Sequence, residues 1–117
     1  MQNVKLQFEK KNNDYRIREA FKTLRSNIEF CGGDVKVIAV TSCTPNEGKS
    51  SVAMEMARAF AEAGSKTMLI DADMRKSVLV GRTKVRSSVK GLTHYLSKQA
   101  PLIDVICSTN VKNLSII

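Results

Sequence analysis

Between Val37 and Ser51 the chain reads VIAVTSCTPNEGKSS: four apolar residues, a polar turn, then Gly48-Lys49-Ser50 at the head of a helical pattern. A strand that runs through a tight turn into a helix aims consecutive backbone N–H groups at one locus. Such a locus holds several negative charges without a large reorganisation, so the stretch is a candidate phosphate-binding loop. Gly48 lets the backbone approach closely, Lys49 reaches the outer phosphates as a point charge, and Ser50 offers a hydroxyl to a bridging Mg²⁺. The first glycine of G-x-x-x-x-G-K-[ST] is replaced by Cys43, so the assignment leans on context. Val37 to Val40 read as a buried strand before the turn, and Val52, Met56, Phe60 and Ala63 follow it at near-helical spacing. The candidate nucleotide-holding residues are therefore Thr44, Pro45, Asn46, Glu47, Gly48, Lys49, Ser50 and Ser51. The plainer alternative is a surface turn that happens to contain Gly-Lys-Ser, and the next strand counts against it.

That strand is Thr67 to Ile70, a second apolar run reached after the helix ends at Gly64, a residue suited to a left-handed cap. Strand, crossover and strand predict parallel pairing. The run leads directly into Asp71-Ala72-Asp73. Carboxylates two apart on an extended segment share a side, and the carboxyl end of a parallel strand is where open α/β sheets bind ligands. Asp71 and Asp73 are thus brought towards Lys49 and Ser50. Aspartate is also common in strand-ending turns, but together with the loop one βαβ unit earlier the pair makes a metal-and-phosphate constellation.

Elsewhere the signals are weaker. Residues 1–13 lack periodicity and read as an extended or mobile arm, with 14–117 as the domain proper. From Tyr15 onward Ile17, Ala20, Phe21, Leu24 and Ile28 form one apolar helical face expected to pack on the sheet. Arg18, Lys22 and Arg25 line a basic stripe on the same helix, with Glu19 placed to pair with Lys22. Taken by itself, such a stripe reads as a solvated face. Cys31-Gly32-Gly33-Asp34 ends the helix. Val78 to Lys90 is basic and serine-rich, as in a surface loop. Gly91 to Leu96 reads as a short helix, in which His94 has no partner for a catalytic dyad and is read as a surface or packing residue. Leu102 to Ile106 is a short helix or strand, and Leu114 to Ile117 begins a strand.

The composition fits one soluble domain or part of a larger one: 117 residues, 43% hydrophobic and 26% charged. No run is long enough to span a bilayer and the polar start is unlike a signal peptide, which makes the cytoplasm the expected compartment. Three scattered cysteines and one histidine argue against a disulfide framework or a zinc site. The net charge of +8 invites a nucleic-acid reading, but aromatics are few and no nucleic-acid motif is present, so no nucleic-acid partner is expected.

Three stretches, EAFKTLRSNIEF (Glu19 to Phe30), VTSCTPNEGKSSVAMEMARAFAEAGSKTMLIDADMRKS (Val40 to Ser77) and KGLTHYLS (Lys90 to Ser97), resemble the bacterial protein-tyrosine kinases of the capsule and exopolysaccharide type. The likeness extends to the final VKNLSII. It implies an α/β fold, a P-loop NTPase-like parallel sheet flanked by helices, here with about three strands of it. It also implies ATP and Mg²⁺ as cofactors and autophosphorylation on tyrosine. Lys49 and Ser50 match the loop's lysine and metal-binding serine. Asp71 and Asp73 match the second acidic motif, Asp71 as metal ligand or base and Asp73 as the alternate base. Glu19, Lys22 and Arg25 fall on an E-x-x-R-x-x-R oligomerisation motif, with Lys22 in place of an arginine; lysine cannot make the bidentate fork, which weakens ring assembly. Asn46 stands for a usual glycine and Ser77 for a usual proline.

Members of this family continue into a further acidic strand and a tyrosine-rich tail, whereas Tyr15 and Tyr95 are the only tyrosines here. The resemblance further implies tyrosine-bearing protein substrates, a homo-oligomeric ring, and a transmembrane adaptor that holds the protein at the inner face of the membrane. Two alternatives belong to other classes. One is a nucleotide switch of the partitioning-ATPase type, and the other is a truncated, inactive interaction module.

Overall fold

One helix organises the structure. Lys49–Glu62 (α2) is rich in alanine, and its small side chains let it lie close on a sheet. It buries Met56, Ala57, Ala59 and Ala61. The computed structural model describes residues 5–8, 15–41, 49–72, 83–84 and 90–117. Ahead of α2 lies Tyr15–Phe30 (α1), and Leu92–Leu96 (α3) and Leu102–Val105 (α4) are two short helices after it. The strands are Lys5–Phe8 (β1), Thr67–Leu69 (β2), Thr83–Lys84 (β3), Cys107–Thr109 (β4) and Leu114–Ile116 (β5).

These strands form one sheet in the order β2-β5-β4-β1-β3. The parallel sheet of about three strands predicted above is therefore a mixed sheet of five. β2 runs parallel to β5 with Met68 opposite Ser115, and β1 runs parallel to β4 with Leu6 opposite Thr109. The β4–β5 pair is an antiparallel hairpin, and β3 joins β1 antiparallel. The core lies between α2 and this sheet: Ala57 and Ala61, one turn apart, meet Leu69, Cys107, Leu114 and Ile116. Thr109, the buried polar residue here, has its hydroxyl 2.8 Å from Leu114 O and accepts the Val111 N–H, so it closes the hairpin turn.

Three expectations need correction. Residues 5–8 are a paired strand within the segment read as an arm. The alternation in Val4-Lys5-Leu6-Gln7-Phe8 is the period-2 pattern of a strand. Val37 to Val40, predicted as the first buried strand, is irregular, with Val37 88% exposed. A strand is sustained by a laddered neighbour, and among the described residues none pairs with this segment. Finally, α1 packs on α2 rather than on the sheet. Phe21 and Ile28 are half-buried, whereas Ile17 and Leu24 stay exposed and no residue of α1 is fully buried. Periodicity identifies an apolar face, but the surface that face meets is decided by the rest of the fold.

The end of α2 is as predicted. Gly64 has φ +99°, Ser65 N donates to Phe60 O at 3.1 Å, and Gly64 N donates to Ala61 O at 3.0 Å. This is a Schellman closure, and the left-handed residue it needs is the glycine. The chain then turns back into β2. On that strand Thr67 N and Asp71 N donate to Asn113 O and Ile117 O, and Leu69 O accepts from Ile117 N. The odd-numbered residues therefore face β5, while the backbone groups of Met68 and Ile70 point to the side of β2 away from β5, where no strand lies among the described residues.

Candidate nucleotide site

The described part of the site is built from two adjoining ends. Lys49 and Ser50 form the first turn of α2, with Lys49 exposed and Ser50 half-buried. The early N–H groups of a helix have no intrahelical acceptor, which leaves them free to face an anion. A helix of fourteen residues is about 21 Å long, and the chain from residue 67 to 71 returns about 13 Å in the opposite sense. Because α2 packs on β2 through Ala57, Ala61 and Leu69, the return carries Asp71 back along α2 in the direction of its start. Asp71 is half-buried, and its backbone is fixed by the 2.9 Å bond from its N–H to Ile117 O.

The structure thus sets Lys49, Ser50 and Asp71 on one α2–β2 unit. Ser51 follows on the same turn, half-buried. Thr44, Pro45, Asn46, Glu47, Gly48 and Asp73 lie outside the described residues. A primary amine and a hydroxyl at a helix start, with a carboxylate beyond the strand packed on that helix, are the donor types that suit a magnesium-bound polyphosphate. The amine complements phosphate oxygens, and the two oxygen donors suit a hard cation.

The helix start is supported by its far end. Asn113 Nδ2 donates to Ala61 O at 3.3 Å from the β4–β5 turn, where Asn113 has φ +68°. Arg25 Nη1 reaches across from α1 to donate to Ala59 O at 3.2 Å. The three predicted oligomerisation residues therefore divide. Glu19 and Lys22 pair with each other at 3.3 Å, both side chains 44% exposed. Arg25 is turned inward at 20% exposed, and its Nε lies 3.8 Å from Glu29 Oε1, close enough for an ion pair but too long for a hydrogen bond.

His94, read as a surface or packing residue, holds a local cap: its Nδ1 accepts the Gly91 N–H at 3.0 Å and its carbonyl accepts from Gln99 N at 2.8 Å. Arg25 could not be given its task from spacing alone, because its partner lies 34 residues away, whereas the cap at His94 spans only three residues. Among the described residues no helix is long and apolar enough to cross a membrane.

No protein-family profile matches the chain; its kinship rests on individual relatives. It is 48% identical over 99 residues to the tyrosine-protein kinase CpsD of Streptococcus agalactiae, covering 85% of this chain and 43% of that protein. Among solved structures, the BceF tyrosine kinase domain superposes with a TM-score of 0.74 at 36% identity, over 86% of this chain and 40% of that one. The chimerical protein CapA2B2 does so with a TM-score of 0.76 at 30% identity, over 99% of this chain and 54% of that one. The chain spans less than half the length of the curated relative. In sequence and in fold it is thus similar, over most of its own length, to part of the bacterial protein-tyrosine kinases, with the α/β architecture of their P-loop domain.

Proposed function

We propose that the chain supplies the nucleotide-binding part of an ATP-dependent protein-tyrosine autokinase that regulates capsular or exopolysaccharide synthesis. The observation that carries this reading is the α2–β2 unit: a helix starting at Lys49-Ser50 packs on the strand that leads into Asp71. The kinase names of the relatives support the same activity. Transfer of a phosphoryl group demands mostly positioning and charge neutralisation. Lys49 would hold the outer phosphates, Ser50 and Asp71 would ligate Mg²⁺, and residues 44–51 would wrap the polyphosphate. Magnesium, when bound, neutralises phosphate charge and orients the transferred group. A tyrosine hydroxyl has a pKa near about 10, so a base must receive its proton as the bond forms. Asp71, where it holds Mg²⁺ through a bound water, or Asp73 would fill that role.

The substrate tyrosine would come from another copy in a ring, and a transmembrane adaptor would hold the assembly at the inner face of the membrane. No nucleic-acid partner is proposed.

Incubation with labelled ATP, Mg²⁺ and a tyrosine-bearing protein tests the reading. Label should appear on tyrosine, and Lys49→Met should cut it by about a hundredfold or more while circular dichroism is unchanged, the scale seen when a positioned charge-stabilising donor is lost. Retained transfer in Lys49→Met refutes the site. Phosphate release without labelled tyrosine identifies a nucleotide switch instead, and no binding of Mg²⁺-ATP identifies an interaction module.

A further inference from the structure

The two ends of α2 carry opposite demands. Its start, Lys49 and Ser50, is the proposed phosphate end, while its last four carbonyls lack partners within the helix. Ala59 O accepts from Ala63 N at 3.2 Å and from Arg25 Nη1 at 3.2 Å; Phe60 O accepts from Ser65 N; Ala61 O accepts from Gly64 N and Asn113 Nδ2. Of these donors Arg25 alone is charged. A cation belongs there, because the aligned peptide dipoles leave partial negative charge at a helix C-terminus. The positive end of that same dipole is the end that attracts phosphate.

The tie also crosses between elements. α1 has no buried residue, so its seam with α2 lacks deep apolar packing, and a guanidinium that is 20% exposed spans it over 34 positions of sequence. Helix formation is cooperative, so an end that is fixed favours order at the other.

We propose that Arg25 is a positioning residue for the nucleotide end of α2. It caps the far end of that helix and fastens it to α1, so that the docking of α1 and the affinity for Mg²⁺-nucleotide rise and fall together. The inference rests on the nucleotide site proposed above. Glu19 and Lys22 are the more exposed members of the E-x-x-K-x-x-R stretch.

The test compares the full chain with Arg25→Met, Arg25→Lys and Arg18→Met, the last removing one exposed charge from the same helix. Binding of a non-hydrolysable ATP analogue with Mg²⁺ is measured by calorimetry, hydrogen exchange of residues 15–30 by mass spectrometry with and without that analogue, and self-association by sedimentation. In the wild type the analogue should slow exchange in α1. Arg25→Met should weaken analogue binding by about fivefold, the scale of one ordinary intramolecular hydrogen bond. It should also abolish the protection of α1, and do so at a concentration where sedimentation shows the same assembly state as the wild type. Arg25→Lys, which keeps a charged donor, should recover part of the affinity, and Arg18→Met should match the wild type.

Affinity and protection unchanged in Arg25→Met overturn the inference, as does loss of self-association with affinity intact. A wild type that binds no analogue overturns the nucleotide site itself, which is a separate result. If Arg25→Met does not fold, Arg25→Lys decides: weakened binding with an unchanged circular-dichroism spectrum supports the role, and wild-type binding overturns it.

Discussion

Leu69→Ala probes the seam that sets Asp71 in place. Leu69 is 8% exposed and packs among Ala57, Ala61 and Ile116, whereas its neighbour Met68 is 44% exposed. Removing three carbons from a buried site costs about 0.8 kcal/mol each, or about 2.4 kcal/mol in transfer free energy. The alanines of α2 are too short to fill the space, so a cavity adds to this and the total reaches roughly 3–4 kcal/mol. A chain of this size has stability on the order of 10 kcal/mol, and the variant should lose about a third of it. With a urea m-value of about 2 kcal/mol/M, the unfolding midpoint should fall by about 1.5–2 M without a change in slope. Met68→Ala should move the midpoint by less than about 0.5 M, since most surface substitutions stay within about ±0.5 kcal/mol and its half-exposed side chain leaves little to lose. Equal shifts for the two variants would show that β2 does not present alternate residues to α2, and the placement of Asp71 argued from that seam would fail with it.

Two further outcomes follow from particular residues. Gly64→Ala should lower stability by about 1–2 kcal/mol in thermal or urea unfolding. A Cβ there meets nothing within 4 Å, so the cost is the left-handed backbone at φ +99° and not a clash; Gly33→Ala, where space is open and φ is not positive, is the near-neutral control. Burial raises the Cys107 thiol above its ordinary value of 9.0, so the folded state keeps a proton that the unfolded state releases. The resulting stabilisation is complete below about pH 9 and is lost as pH rises through the folded-state value. The unfolding midpoint should therefore decline on the alkaline side, and Cys107→Ala should flatten that limb.

The legible parts of the chain were those whose structure is decided nearby. α2, its glycine stop and the strand ahead of Asp71 each carry their signal within a few residues, and Lys49, Ser50 and Asp71 inherit their places from them. The misreadings all turn on partners distant in sequence. Val37 to Val40 has the composition of a buried strand, but burial is a property of the neighbour as much as of the residues. Leu6 and Phe8 alternate with polar residues over so short a stretch that only pairing with β4 and β3 makes a strand of it. On α1, one apolar stripe was visible, yet which half of it meets α2 and which faces water was set by the packing angle. Arg25 looked like one of three equivalent charges on a stripe, and the carbonyl it serves is 34 residues away.

The open side of β2 has a practical outcome. Among the described residues no strand lies beyond β2, so the amides and carbonyls of Met68 and Ile70, residues 44% and 55% exposed, form a half-ladder flanked by apolar side chains, and Val37 and Ile38 are a second exposed apolar stretch. Such edges polymerise by strand addition unless something occupies them. Solubility in concentrated preparations is accordingly governed by two or three rungs of backbone at the margin of the sheet, despite the repulsion that a charge of +8 supplies.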